Sequence, residues 1–253
     1  MNALAWSSAP PMKCDAPDLD HERRFQPVRE AVDAFLRATG PYTEARVYEP
    51  GLPHAFTRTT YFDTPALDLL ASASSGYAQR LRLREYAAAM DLGQPPSLTG
   101  RRFLEVKVTS GERRTKSRCA LSAHEAEALL YGLPLPEGSA AVGLMQQLAR
   151  GPVMPWVTAW YRRVTRTTAD ERVRITLDQD LAFALPPLPG DPAEPTCPLE
   201  RASAALLEVK WQDRAPAWLE QALRPLASSE TQGSKFEQGM RVLLGGALPP
   251  RDD

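Results

Sequence analysis

Arg80-Leu81-Arg82-Leu83-Arg84 alternates base and leucine, and that alternation decides the fold. Side chains two apart in a β-strand project from one face, so this stretch reads as a strand with one apolar and one cationic side. Three other stretches repeat the phase with an acid two residues before a base: Glu22-Arg23-Arg24, Glu105-Val106-Lys107 and Glu208-Val209-Lys210. Arg172-Val173-Arg174-Ile175-Thr176-Leu177-Asp178 mixes both signs in the same period, with Val, Ile and Leu at the alternate positions.

Around these runs the chain is ordinary. Its 253 residues suit one large domain or two small ones, and 43% hydrophobic with 24% charged residues is typical of a globular protein. A net charge of −1 gives no reason to expect nucleic acid or an acidic membrane surface as a partner. Cys14, Cys119 and Cys197 are scattered and lack C-x-x-C spacing, which fits a reducing compartment and offers no zinc site. His21, His54 and His124 are equally dispersed. No run approaches the roughly 18 apolar residues of a membrane span, and the first 20 residues lack the charge and apolar pattern of a secretory signal. We expect a loose N-terminal arm (1–20), a single domain (21–246), a tail (247–253) and a cytoplasmic location.

Strand patterns cover 21–26, Thr57–Phe62, Tyr77–Tyr86, Phe103–Thr109, Lys116–Leu121, Val153–Thr165, Arg172–Phe183 and Ala205–Trp211. Helical spacing appears after Pro27 to about Thr39, briefly at Leu67 and Leu70, from Ala141 to Ala149, around Trp218–Leu223 and over Ser234–Leu244. Ser122-Ala123-His124-Glu125 is a capping box that opens a helix to about Tyr131. Residues 91–100 read as a Pro/Gly-rich connection, and 186–203 as a Pro-rich surface loop. The economical architecture is an α+β domain with roughly eight antiparallel strands.

A one-sided sheet with a wet polar face is the ordinary meaning of such alternation. Three features argue against it here. The strand-phased set (Arg24, Arg80, Arg82, Arg84, Lys107, Lys116, Arg118, Arg163, Arg172, Arg174, Lys210) far outnumbers its acids Glu22, Glu105, Asp178 and Glu208, although the whole chain is slightly negative. Arginine predominates, and its planar fork matches phosphate oxygens bidentately. Carboxylates among the cations are placed to hold an oxygen-loving divalent ion. If the sheet closes into an antiparallel β-barrel flanked by helices, the charged faces line a tunnel. Confined cations repel one another, so the geometry predicts a ligand of repeated negative charge.

The motifs then resemble a known family. Glu22-x-Arg24-Phe25, Thr60-Tyr61-Phe62-Asp63-Thr64, Arg82-Leu83-Arg84-Glu85-Tyr86, Phe103-Leu104-Glu105-Val106-Lys107, Lys116-Ser117-Arg118, Tyr161-Arg162-Arg163, Arg174-Ile175-Thr176-Leu177-Asp178, Leu207-Glu208-Val209-Lys210 and Gly233-Ser234-Lys235-Phe236 occur in order. This resembles the polyphosphate polymerase domain of the vacuolar transporter chaperone (VTC) complex, in the triphosphate tunnel metalloenzyme superfamily. The resemblance implies a triphosphate tunnel in which Arg24, Arg82, Arg84, Lys107, Lys116, Arg163, Arg174 and Lys235 hold the triphosphate, with Tyr161 and Ser234 assisting. Arg118 and Lys210 belong to the same binding set. It makes Glu208 the principal ligand of Mn²⁺ or Mg²⁺, and Glu22 and Glu105 either secondary ligands or partners that fix nearby bases. The implied reaction moves the γ-phosphate of ATP to a growing polyphosphate chain. Glu22-x-Arg24 departs from the Glu-x-Glu-x-Lys of the superfamily's triphosphatase and cyclase branches.

Two other activities use the same residues: hydrolysis of inorganic triphosphate or nucleoside triphosphates, and non-catalytic sensing of polyphosphate or nucleotide. A single-strand nucleic-acid platform fits less well, because aromatics are not interleaved with the Arg-rich strands.

Overall fold

The computed structural model describes residues 19–246 apart from 73–76, 112, 147 and 149–150. The expected arm (bar its last two residues), the expected tail, Cys14 and the end of the helix expected to reach Ala149 lie outside the described residues.

Period-two stretches become strands: β1 (His21–Phe25), β2 (Glu44–Ala45), β3 (His54–Asp63), β4 (Tyr77–Ala89), β5 (Ser97–Ser110), β6 (Arg113–Ala120), β7 (Met154–Thr167), β8 (Val173–Ala184), β9 (Glu200–Arg201) and β10 (Leu206–Trp211). The helices are α1 (Arg29–Thr39), α2 (Asp68–Ala71), α3 (Ala123–Tyr131), α4 (Ala140–Gln146), α5 (Ala217–Leu223) and α6 (Lys235–Leu243). The order across the sheet is β1-β10-β8-β7-β3-β4-β5-β6, with β2 added to β7 and β9 to β8; all pairings are antiparallel.

The path ends at β1 and β6, so the sheet is a curled half-barrel rather than a ring closed by hydrogen bonds. The curl is deep enough that Lys107 on β5 feels Glu22 and Arg24 on β1 and Lys210 on β10. Apolar positions of the central strands face outward under helices. Leu81, Leu83, Leu104 and Val106 pack against Ala126, Leu129, Ala141 and Leu144 of α3 and α4. Val173, Ile175, Leu207 and Val209 pack against Val32, Phe35, Leu219 and Leu223 of α1 and α5. These layers hold the convex side dry and leave the charged phase on the concave side.

Three segments differ from the sequence reading. β5 begins at Ser97, inside the expected connection, because Gly100 (φ +82°) and a register shift between Glu85 and Ala87 let the strand continue through a bulge. The Pro-rich excursion is more than a surface loop. Ala193 is buried with Phe56, Ala87 and Trp160, Pro192 O accepts from Arg58 Nη1 at 3.3 Å, and the excursion ends in β9. In β8 the register shifts opposite Trp160–Arg162, where Asp180 takes φ 56°. Past that point Leu181 and Phe183 share a buried cluster with Tyr61, Val157, Ala159 and Tyr161, and α6 covers this part of the concavity through Phe236 and Met240.

Candidate polyanion-binding site

Register places the charged phase on one concave surface. Arg24 pairs with Glu208, Glu22 with Lys210, Lys210 with Arg174, Arg163 with Asp178, Arg80 with Lys107, Arg82 with Glu105, Glu105 with Arg118 and Lys107 with Lys116. Residues opposite one another in a pair share a face, so the site residues read from the sequence on β1, β4–β8 and β10 do come together. Lys235 and Ser234 arrive from the start of α6.

The charges fall into three groups. In the first, Glu22 binds Arg24 and lies 2.8 Å from Lys210 Nζ, while Glu208 lies 3.3 Å from Arg24 Nε and 3.4 Å from Lys210 Nζ. Burial and the neighbouring Glu208 push the Glu22 carboxyl up, but Lys210 and Arg24 outweigh them and hold it below its ordinary value. Burial also opposes ionisation of Glu208, and the same two cations hold it well below the usual carboxylate range.

In the second group Glu105, 1% exposed, lies 2.7 Å from Arg82, 3.8 Å from Arg84 and 2.6 Å from Lys116. Burial works against its charge, and Arg84, Arg82 and Lys116 override it. Its partners lie across the ladder rather than at Lys107, two residues along its own strand. Arg82 stands directly opposite Glu105, with Cβ atoms about 5 Å apart, while Arg84 and Lys116 reach it along the diagonals with their long side chains.

In the third group Asp178, 1% exposed, takes Arg163 bidentately at 2.6 and 2.7 Å and Lys235 Nζ at 2.6 Å. Both cations lie over the Tyr161 ring, at 5.0 and 4.7 Å from its centroid. Burial would raise the Tyr161 phenol, but Arg163 and Arg84 bring it down to about 8. Tyr161 is thus a buried wall supporting cations.

Lys107 and Arg174 have no carboxylate within 4.0 Å among the described residues. Burial pushes the Lys107 ammonium down to about 8; Glu22 opposes this, while Lys210, Arg24 and Arg82 reinforce it. Arg118 lies over the Phe103 ring at 4.9 Å. Ser234 caps α6 by accepting from Glu237 N at 3.3 Å, while Glu237 Oε2 accepts from Ser234 N at 2.7 Å.

Among the described residues no three or more His, Cys, Asp and Glu side chains could together hold a metal ion. The donor set fits an ion of the Mg²⁺ kind, which takes one or two carboxylates and completes its shell with phosphate oxygens and water. Glu208 and Glu22, ionised and side by side, are the pair that fits. Glu105, enclosed by its three cations, fits the other expectation and fixes bases.

In the sequence Asp178 was legible only as one acid of a mixed strand; its hold on both Arg163 and Lys235 needed the structure. Arg80, in the strand-phased set but outside the matched motifs, is held by Glu237 at 3.2 Å. The Ser234…Glu237 spacing is the same capping-box signal that marked Ser122…Glu125, so the cap could have been read. Tyr86 and Phe103 also belong to the concave phase, opposite Thr57 and Arg84 respectively.

Comparison with known proteins follows the same lines. A putative adenylate cyclase from Bacillus halodurans is similar at a TM-score of 0.52, with 15% identity over 86% of this chain and 94% of that one. At that identity the likeness is one of fold. The PH1819 protein from Pyrococcus horikoshii OT3 matches at a TM-score of 0.45 and 12% identity, covering 87% of this chain and 97% of that one. Among curated proteins none matches the sequence. A cationic concavity on this tunnel-type fold marks a triphosphate- or polyphosphate-handling protein. The sequence matches the VTC domain over residues 22–244, nearly the whole described length, and the chain therefore belongs to the VTC domain family.

Proposed function

We propose that the chain is a metal-dependent, polyphosphate polymerase-like phosphotransferase that moves the γ-phosphoryl group of ATP to the end of a polyphosphate chain. One observation carries this reading over hydrolysis. All four carboxylates of the site, Glu22, Glu105, Asp178 and Glu208, are tied to cations and drawn below their ordinary pKa. Among the described residues the site is therefore rich in phosphate-binding charge and holds no carboxylate suited to deprotonating water. A chain-end phosphate oxygen is already ionised and needs no base. It forms the new bond to the γ-phosphorus while the β–γ bridging oxygen leaves with its electron pair as part of ADP.

Positioning and charge neutralisation supply most of the catalysis in such transfers. Arg82, Arg84, Lys107, Arg163 and Lys235 surround the reacting phosphoryl group. Arg24, Lys116, Arg118, Arg174 and Lys210 hold the remainder of the phosphate chain, Tyr161 backs Arg163 and Lys235, and the Ser234 hydroxyl proton is free to donate. Mn²⁺ or Mg²⁺ held by Glu208 and Glu22 would neutralise phosphate oxygens. Cys119 and Cys197 are unpaired thiols, which suits a cytoplasmic setting.

The test is purified protein with ATP, Mn²⁺ or Mg²⁺ and a pyrophosphate primer. Long phosphate chains formed in step with ADP are expected. Free phosphate alone would mark a hydrolase, and binding without turnover a sensor. Glu208→Ala is expected to bring metal-dependent turnover to background, and wild-type turnover in that variant would remove Glu208 from the metal site.

A further inference from the structure

Tyr86 and Phe103 are half-exposed aromatic side chains on the cationic concave surface, unlike Tyr61 and Tyr161, which are buried in it. Tyr86 follows Arg84 by two residues on β4, and Phe103 stands opposite Arg84 on β5, so both rings continue the phosphate-binding phase by about one strand repeat. That repeat leads away from the end of the concavity covered by α6. The rings meet edge to face, with centroids 6.1 Å apart and planes at 82°. Both are only half-buried, and neither belongs to any of the four apolar cores. Core packing therefore does not explain them.

Guanidinium groups flank the pair. Arg101 lies over the Tyr86 ring at 5.2 Å and is tethered to Glu49 at 3.2 Å, while Arg118 lies over Phe103 at 4.9 Å. Tyr86 lies two residues beyond Arg84 on its strand and Phe103 directly opposite Arg84, so the aromatic pair and the phosphate-binding arginines form one continuous surface.

We infer that Tyr86 and Phe103, with Arg101, form a nucleobase subsite at the open mouth of the concavity, bordered by Arg118 of the phosphate-binding set. A half-exposed ring face offers a phosphate chain no hydrogen bond, whereas every base has a π-face that stacks on aromatic side chains and on guanidinium planes. With the phosphates of a nucleoside triphosphate on Arg82 and Arg84, the ribose spans the step to Tyr86 and the base reaches the ring pair. The inference rests on the proposed reading that phosphates occupy those arginines.

Calorimetric titration of ATP and of inorganic triphosphate separates the two ideas. In a Tyr86→Leu/Phe103→Leu double variant, ATP affinity is expected to fall roughly tenfold or more while inorganic triphosphate binds as in the wild type, which also reports an intact fold. Tyr86→Phe keeps the stacking surface and is expected to keep ATP affinity. Equal losses for both ligands, or no loss for either, would overturn the subsite. Failure of inorganic triphosphate to bind the wild type would overturn the phosphate reading, and the subsite with it.

Discussion

Lys107 shows at the scale of one residue how the curl of the sheet changes chemistry. In sequence it is the base of an acid-x-base pair, yet Glu105 is engaged by Arg82 and Lys116, and Lys107 is left among Arg24, Arg82 and Lys210. Its ammonium is brought from an ordinary 10.5 down to about 8. A base with a lowered pKa is charged below that value and neutral above it. Affinity for inorganic triphosphate is therefore expected to fall as pH rises through about 8, and binding near that pH to take up protons as the bound anion restores the charge. Calorimetry in buffers of different ionisation enthalpy reads both effects. Burial also pushes the Lys116 ammonium down to about 8, and the Tyr161 phenol is brought to about 8. Lys107→Arg, which stays charged throughout, is therefore expected to shrink the step without abolishing it; an unchanged step would assign the titration to those two groups. Period-two spacing put Lys107 on the right face. Which acids were already engaged depended on contacts between strands.

Helix α6 carries the lesson at the scale of an element. Its start was legible from Ser234-Lys235-Phe236, but its place inside the concavity was not. That place depends on the register shift near Asp180, which turns Leu181 and Phe183 onto the face otherwise used for charge. Simple alternation from Val173, Ile175 and Leu177 would have sent them outward. Gly239 lets the helix approach. A Cβ there would stand 2.9 Å from Phe183 Cδ1 and 3.1 Å from Val157 Cγ2. Gly→Ala inside a helix ordinarily stabilises by about 0.8–1.0 kcal/mol, but overpacking costs about 1–3 kcal/mol, so the clash is expected to win. Gly239→Ala should lower the urea midpoint and, by displacing Lys235 from Asp178, weaken triphosphate binding. A raised midpoint would contradict the close packing of α6.

For the whole molecule, the segregation of charge was the most legible property. An almost neutral chain places its strand-phased bases on one concave surface, except Arg172, which precedes β8 and pairs with Asp213 in solvent; the alternation of polar and apolar residues already contained that separation. Which cations lack partners, and the aromatic pair, emerged only once distant strands were brought together. So dense a cationic surface is held with self-repulsion that a bound polyanion relieves. Inorganic triphosphate at about a hundred times its Kd adds about 2.7 kcal/mol to stability, which for a chain of this length raises Tm by roughly 5–10 °C. Thermal melts are expected to show this shift at low salt. At fixed ligand it should shrink toward about 1 M salt, where the Debye length is only about 3 Å; a melt indifferent to triphosphate would deny the site its ligand. Helix α6 also has a consequence for traffic. Because it fills one end of the groove, reactant and product would share a single doorway, and a phosphate chain lengthened at its inner terminus would back out past Tyr86 and Phe103 before the next nucleotide could enter.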